Sequence, residues 1–266
     1  MTTFITLDGL TGSGKTAVGL LLAEALNYYY FEPETLFRNL IPILANPKAP
    51  CTSKKQLLTH LTSLQIEIVE SQQQANRFIK RREAGNPPHI IHFIKYASAQ
   101  PYQMVINDNL SASKTKAEED INWGFLFGQD PTFTNFISDP EIYSALTQSL
   151  QRLSAPRGVV MTGDEISPSL IPGAQKKYIL TADLWTRNSR IVHRGREGGA
   201  IWDKSDIMPY TETRDKTDLN RPAHLQFPQN ATHINTESKT VFDVAREIYP
   251  ALQLKKPISS RYDWQF

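Results

Sequence analysis

The sequence predicts an α/β protein: a parallel β-sheet flanked by helices, with an inserted region and an arginine-bearing lid. Three observations carry that reading. A buried-strand pattern, Phe4-Ile5-Thr6-Leu7, runs straight into the glycine-rich stretch Gly9-Leu10-Thr11-Gly12-Ser13-Gly14-Lys15-Thr16. An apolar helical pattern, Ala17 to Leu26, follows at once. From Gly158 to Ile248 strand and helix patterns alternate, as the crossovers of a parallel sheet require.

The elements follow in order. After the first strand, loop and helix comes a short second strand near Tyr28 to Phe31. Pro42, Pro47 and Pro50 then break the chain. Leu64, Ile66 and Ile68 alternate with Gln65 and Glu67, the period of a half-buried strand. His89 to Tyr96 and Gln103 to Asn107 read as two more strands, punctuated by Asn86-Pro87-Pro88 and Gln100-Pro101. Pro140 to Leu153 reads as a helix capped by Asp139. Residues 39–157 are therefore expected to form an insertion with a small antiparallel sheet and flanking helices. Gly158 to Met161 is an apolar run ending in Thr162-Gly163-Asp164-Glu165, and Lys177 to Thr181 is the next strand. Asp183 is placed to cap the helix after it. Residues 186–221, rich in arginine and containing Gly195, Gly198 and Gly199, suggest a mobile lid. A last strand at Ala231 to Thr236 and an amphipathic helix at Val241 to Ile248 complete one domain spanning 1–266.

Composition excludes several classes. With 266 residues and 40% apolar side chains, the chain can bury a sizeable core. A net charge of +2 gives no argument for nucleic acid or a membrane surface. No apolar stretch approaches the roughly 20 residues of a membrane span. The lone Cys51 cannot form an internal disulfide, which fits a reducing compartment. The first strand begins at Phe4 and leaves no room for a signal peptide. The expectation is a soluble cytoplasmic monomer.

The glycine-rich stretch matches G-x-x-x-x-G-K-[ST] in full, in the strand–loop–helix setting that motif requires. Its glycines allow a concave nest of N–H groups, and the helix N-terminus adds a positive dipole end. Gly9, Leu10, Thr11, Gly12, Ser13, Gly14, Lys15 and Thr16 are the expected ATP-binding residues. Lys15 would reach the β- and γ-phosphates, and the Thr16 hydroxyl would hold Mg²⁺. A structural turn is the alternative.

Phosphoryl transfer needs positive charge around the moving group. Arg187 and Arg190 lie three apart on one helical face, and Arg214 shares a face with Asp218 at i,i+4. A solvated ion-paired surface would look the same in sequence. Arg38 can clamp a second phosphate, or sit on the surface. Asp164 and Glu165 end a buried strand at the edge where α/β sheets bind ligands, so one could orient Mg²⁺. The six histidines show no zinc spacing, and Lys80-Arg81-Arg82 reads as a solvated face. Trp123, Phe125, Phe127, Phe133 and Phe136 suit either core packing or a stacking wall for a base.

At these residues the chain resembles bacterial cytidylate kinases. Ile5-Thr6-Leu7-Asp8-Gly9 through Thr16 is similar to the family's I-T-I-D-G-x-x-G-[SA]-G-K-[GST] opening. Glu32 to Arg38 resembles D-S-G-x-x-Y-R, which implies that Phe37 lines the acceptor site and Arg38 holds the acceptor's monophosphate. Thr181 to Arg190 resembles the strand and lid helix, and Arg214-Asp215, Asp218 and Arg221 match R-D-x-x-D-x-x-R. The resemblance gives Asp218 to the acceptor's ribose, Arg221 to its phosphate, and Thr236, in Ile234-Asn235-Thr236, to the adenine side of ATP. Three departures are plain, the first being Pro33 and Glu34 in place of the serine and glycine of D-S-G. The family's Gly-Arg-Asp is Gly163-Asp164-Glu165 here, and no lysine or arginine occurs from Ala117 to Gln151, where the family has a cytosine-reading arginine.

The resemblance thus implies a P-loop kinase fold and ATP-dependent phosphoryl transfer to a nucleoside monophosphate, CMP or dCMP, with Mg²⁺. Lys15, Arg187, Arg190 and Arg214 are the expected catalytic residues. Phe37, Arg38, Asp164, Asp218 and Arg221 are expected at the acceptor, and Thr16 and Asp164 at the metal. A P-loop kinase for another small acceptor, and a nucleotide-binding protein without activity, stay open.

Overall fold

A computed structural model describes residues 2–34, 53–63, 65–69, 88–93, 102–107, 139–153, 155–164, 166–197, 201–220 and 228–252. By chain contacts it divides into two compact units, 3–31 with 158–266, and 32–157.

The first unit is built on strand β1, Phe4–Asp8. Ile5, Thr6, Leu7 and Asp8 are all buried, the pattern of a strand covered on both faces. Helix α1, Lys15–Leu26, follows the glycine-rich loop and ends at Asn27, whose left-handed φ of 56° stops the helix. Strand β2 is Tyr29–Phe31.

The second unit holds helix α2 (Lys54–Ser63), strands β3 (Gln65–Val69), β4 (Pro88–Phe93) and β5 (Tyr102–Asn107), and helix α3 (Pro140–Gln151). The strands pair antiparallel in the order β3-β5-β4. Ile66 and Ile68 are buried, as their alternation requires. Asp139 Oδ1 accepts the Glu141 and Ile142 N–H groups and caps α3. Helix α2 has no counterpart in the sequence reading, because its apolar residues are few. Lys54, in its first turn, is instead held by Asp139 and Glu141 at the start of α3, 2.7 and 2.5 Å away.

The chain returns to the first unit with β6 (Val159–Gly163), a short π-helical turn at Ile166–Leu170, and β7 (Lys176–Thr181). Helices α4 (Leu184–Glu197) and α5 (Lys204–Leu219), strand β8 (Thr232–Asn235) and helix α6 (Val241–Ile248) complete it. The sheet is parallel throughout, in the order β2-β6-β1-β7-β8. Helix α1 buries Val18, Leu21 and Leu22 in one cluster with Val241, Val244 and Ile248 of α6. Gly19 lets α1 approach β6: a Cβ there would lie 2.6 Å from the Thr162 methyl. This is the P-loop arrangement of sheet and helices that the sequence predicts. Since β1 is central, its carboxyl end and those of β6 and β7 open on one edge, where parallel sheets bind ligands.

Candidate functional site

The loop between β1 and α1 owes its shape to three glycines with positive φ: Gly9 at 145°, Gly12 at 83° and Gly14 at 98°. A side chain at Gly9 would meet the Leu180 carbonyl oxygen at 2.3 Å, and one at Gly12 the Arg187 carbonyl oxygen at 2.7 Å. The loop is therefore closely packed against β7 and α4. Inside it, the Ser13 N–H closes on Leu10 O at 3.1 Å, and Ser13 is fully buried. Gly14 O accepts the Val18 N–H, which starts the helical ladder of α1.

The carboxyl end of β1 carries Asp8, fully buried, whose Oδ1 accepts the Ile166 N–H. That bond fixes the turn after β6 and with it Asp164. Lys15 Nζ lies 2.9 Å from Asp164 Oδ1, with both side chains mostly buried. Arg214 Nη2 lies 3.6 Å from Asp164 Oδ2. Arg214 Nε lies 3.4 Å from Asp218 Oδ2, one helical turn on, and Asp218 is 2% exposed. One side of the site is thus a chain of alternating charge from the loop to α5: Lys15, Asp164, Arg214, Asp218.

Arg187 and Arg190 form a second set. Arg187 donates through Nε to Ala182 O at 3.1 Å, and through Nη1 to Thr11 O at 3.0 Å and Asp215 Oδ1 at 2.9 Å. Its Nη2 donates to Asp215 Oδ2. Arg190 donates through Nη1 to Gly12 O at 3.2 Å and Thr236 Oγ1 at 2.9 Å, and through Nη2 to Thr236 O at 2.6 Å. Burial pushes the Arg190 guanidinium down to about 10, which leaves it cationic at neutral pH. The single Thr236 hydroxyl proton is shared between Ser13 O at 3.0 Å and Thr181 O at 3.1 Å. Asp183 caps α4 as its position suggested, and the Thr186 N–H it accepts holds its carboxyl below the ordinary value.

The structure therefore brings together Lys15, Asp164, Arg214, Asp218, Arg187, Arg190 and Thr236 around the loop Gly9–Thr16. Phe37, Arg38, Glu165 and Arg221 lie outside the described residues, as does the stretch 198–200 of the expected lid. Sequence reasoning assigned no role to Asp8 or Asp215. Asp215 stands beside Arg214 in the same string, yet its partner is 28 residues away on another helix. No local spacing rule could pair them. Among the described residues no group of three or more His, Cys, Asp or Glu could hold a metal ion, and no helix is long and apolar enough to cross a membrane.

A family profile and curated relatives match most of the chain. The family profile "Cytidylate kinase" matches residues 5–85 and 130–254. A cytidylate kinase of Caldicellulosiruptor bescii is 22% identical, covering 92% of both chains. One of Chlamydia trachomatis serovar A is 24% identical, covering 93% of this chain and 97% of its own. Among solved structures, a gluconokinase from Sinorhizobium meliloti 1021 has a TM-score of 0.41 at 14% identity, over 94% of this chain and 91% of that one. With a phosphate loop intact in both sequence and geometry, and the family profile matching more than half its length, this chain belongs to the cytidylate kinase family.

Proposed function

We propose that this protein transfers the γ-phosphoryl group of ATP to a nucleoside monophosphate, CMP or dCMP by preference, giving ADP and the diphosphate. The observation that carries the reading is the pair of cations, Lys15 on the phosphate loop and Arg214 on α5, meeting at one carboxylate at the mouth of that loop. Two positive groups from separate elements converge on Asp164, and in this reading they would flank the γ-phosphoryl group. Phosphoryl transfer places its developing charge on equatorial oxygens, and converging cations stabilise it more than they stabilise the ground state.

In this reading the loop N–H groups and Lys15 hold the triphosphate, and Arg214 neutralises the moving group. Asp218, held by Arg214, faces the acceptor's ribose, while Phe37, Arg38 and Arg221 hold its aromatic and phosphate parts. The Thr16 hydroxyl, in the loop motif, and the Asp164 carboxylate, which meets Lys15, are oxygen donors of the kind that suits Mg²⁺. That ion keeps most of its shell from water and phosphate and needs only one or two protein ligands. When bound there, Mg²⁺ would add positive charge to the β- and γ-phosphate oxygens. An acceptor phosphate is already anionic, so no general base is required of the protein.

One observation favours a second reading, a P-loop kinase for a different small acceptor. Asp164 is a carboxylate where the cytidylate kinase pattern implies an arginine, and it repels an acceptor phosphate unless Mg²⁺ or Lys15 neutralises it. A coupled ADP-release assay over CMP, dCMP, UMP, AMP and GMP decides between the two. Turnover with CMP and dCMP above the others supports the proposal. ATP binding without turnover of any monophosphate moves the assignment to the second reading.

A further inference from the structure

We infer that Arg187 and Arg190, with Asp215, are positioning residues. They hold the phosphate loop by its carbonyl groups and tie its shape to helix α5, rather than contacting the phosphoryl group in transfer. The inference rests on the ATP-binding reading of the loop but not on the identity of the acceptor.

Three successive carbonyls of the loop are held by side chains: Thr11 O by Arg187, Gly12 O by Arg190, and Ser13 O by Thr236. In a trans peptide the C=O of one residue and the N–H of the next point in opposite directions. Fixing those carbonyls therefore fixes the N–H vectors of Gly12, Ser13 and Gly14. A phosphate-binding nest depends on the direction of its N–H groups. Gly12 and Gly14 have φ of 83° and 98°, conformations that no side chain of their own can enforce. The enforcement comes from α4 and the turn after β8.

The same contacts leave Arg187 little to offer a phosphate. Four donor contacts, to Ala182 O, Thr11 O and both Asp215 oxygens, use four of its five N–H groups. Its side chain is 5% exposed, and the bidentate Asp215 carboxylate neutralises it. To reach a transferring phosphoryl group it would have to abandon a buried ion pair, which is strongly unfavourable for the charge left behind. Arg190 is 8% exposed and grips Thr236 with both terminal nitrogens. Lys15 and Arg214, in contrast, meet a carboxylate beside the loop's opening.

Asp215 gives the arrangement its wider consequence. It sits between Arg214 and Lys216 on α5, the helix that also carries Asp218. Through Asp215–Arg187–Thr11, a shift of α5 is passed to the loop. The donor phosphates and the residues assigned to the acceptor thus share one mechanical link of two contacts.

The test compares ADP with ATP binding, because ADP lacks the γ-phosphoryl group. Arg187→Lys, Arg190→Lys and Asp215→Asn are titrated with both nucleotides and Mg²⁺ in the absence of acceptor, and their thermal midpoints are recorded. Each should lose affinity for ADP and ATP by the same factor, on the order of 10-fold, since a misplaced loop fails all phosphates alike. Asp215→Asn should behave as Arg187→Lys does, although it leaves Arg187 a free cation. A loss confined to ATP, or a gain in turnover for Asp215→Asn when acceptor is then added, overturns the inference and returns Arg187 to the phosphoryl group. Unchanged affinities in folded variants also overturn it. Wild-type protein that binds neither nucleotide would defeat the ATP reading itself, a separate failure.

Discussion

Lys15 Nζ and Asp164 Oδ1 stand 2.9 Å apart, joining the phosphate loop to the end of β6. The second oxygen of the same carboxylate is 3.6 Å from Arg214 Nη2, beyond a normal hydrogen bond. The Lys15 contact is therefore the stronger of the two. Asp164 occupies the lysine that a triphosphate needs, and nucleotide binding must replace this pair with a better one. In the proposed reading a polyphosphate with Mg²⁺ would do so without stranding the Asp164 carboxylate, which would turn to the cation. Charge balance in the site would then favour the metal-bound nucleotide over the free one.

Lys15→Ala should fold and fail to turn over. Asp164 keeps Arg214 beside it, so no buried carboxylate is stranded and the thermal midpoint should change little. Loss of a preorganised charge at the transferring oxygens lowers turnover by about 10²–10³-fold. Circular dichroism and ADP release measured on the same sample check both halves. A folded variant with near-wild-type turnover rules out this role for Lys15.

The three loop glycines should rank by space as well as by φ. Gly14→Ala meets nothing closer than 3.8 Å and carries only the left-handed strain of about 1–2 kcal/mol. Gly12→Ala adds a 2.7 Å approach to the Arg187 carbonyl oxygen. Gly9→Ala adds a 2.3 Å approach to Leu180 O, a backbone atom of a central strand, and should lose more than about 3 kcal/mol. Denaturant midpoints should therefore fall in the order Gly14→Ala, Gly12→Ala, Gly9→Ala. An equal loss at all three would show that packing around the loop is looser than these distances.

The helix caps predict a pH dependence. The Thr240 side chain and N–H hold the Asp243 carboxyl below its ordinary 3.8. A depressed folded-state value means that the capping contribution is fully present above 3.8 and is lost as pH falls through the lower, folded value. Asp243→Asn should thus be less stable than wild type at neutral pH, with the difference shrinking below about pH 4. Urea midpoints across that range measure it. A difference that stays constant to low pH would assign the effect to shape rather than charge.

Much of the fold was legible because it rests on local pattern. The apolar run of β1, the glycine spacing and the apolar face of α6 each satisfy a rule that spans a few residues. Asp139 and Asp183 were readable as caps for the same reason. Helix α2 was not, since it is fixed by long-range contact with α3: its own Leu61 is buried and the Leu61 carbonyl accepts the Ser149 hydroxyl. In the site, residue types were legible but directions were not. The i,i+3 spacing put Arg187 and Arg190 on one face of α4, and nothing in the sequence said that the face meets loop carbonyls and Asp215. Asp164 was visible as a departure from the Gly-Arg-Asp pattern that the resemblance implies. Its pairing with Lys15 depends on the parallel register that sets Asp8 beside Gly163, a long-range fact.

That pairing yields the last prediction. Asp164→Asn keeps the size and one acceptor oxygen of the side chain but removes its charge, and so releases Lys15 to a nucleotide. Without Mg²⁺, the variant should bind ATP more tightly than wild type, because no carboxylate competes for the lysine and none repels the phosphates. With Mg²⁺ the ranking should narrow or reverse, since the variant has lost an oxygen donor suited to the ion. Turnover with saturating Mg²⁺ and acceptor should fall. Titration with ATP in chelator and in excess Mg²⁺ gives four dissociation constants, and their double difference isolates the part of Asp164 that acts through the metal. If that double difference is zero and turnover is unchanged, Asp164 serves only to neutralise Lys15 in the empty site. A larger Mg²⁺ benefit in Asp164→Asn than in wild type would rule out Asp164 as a metal ligand altogether.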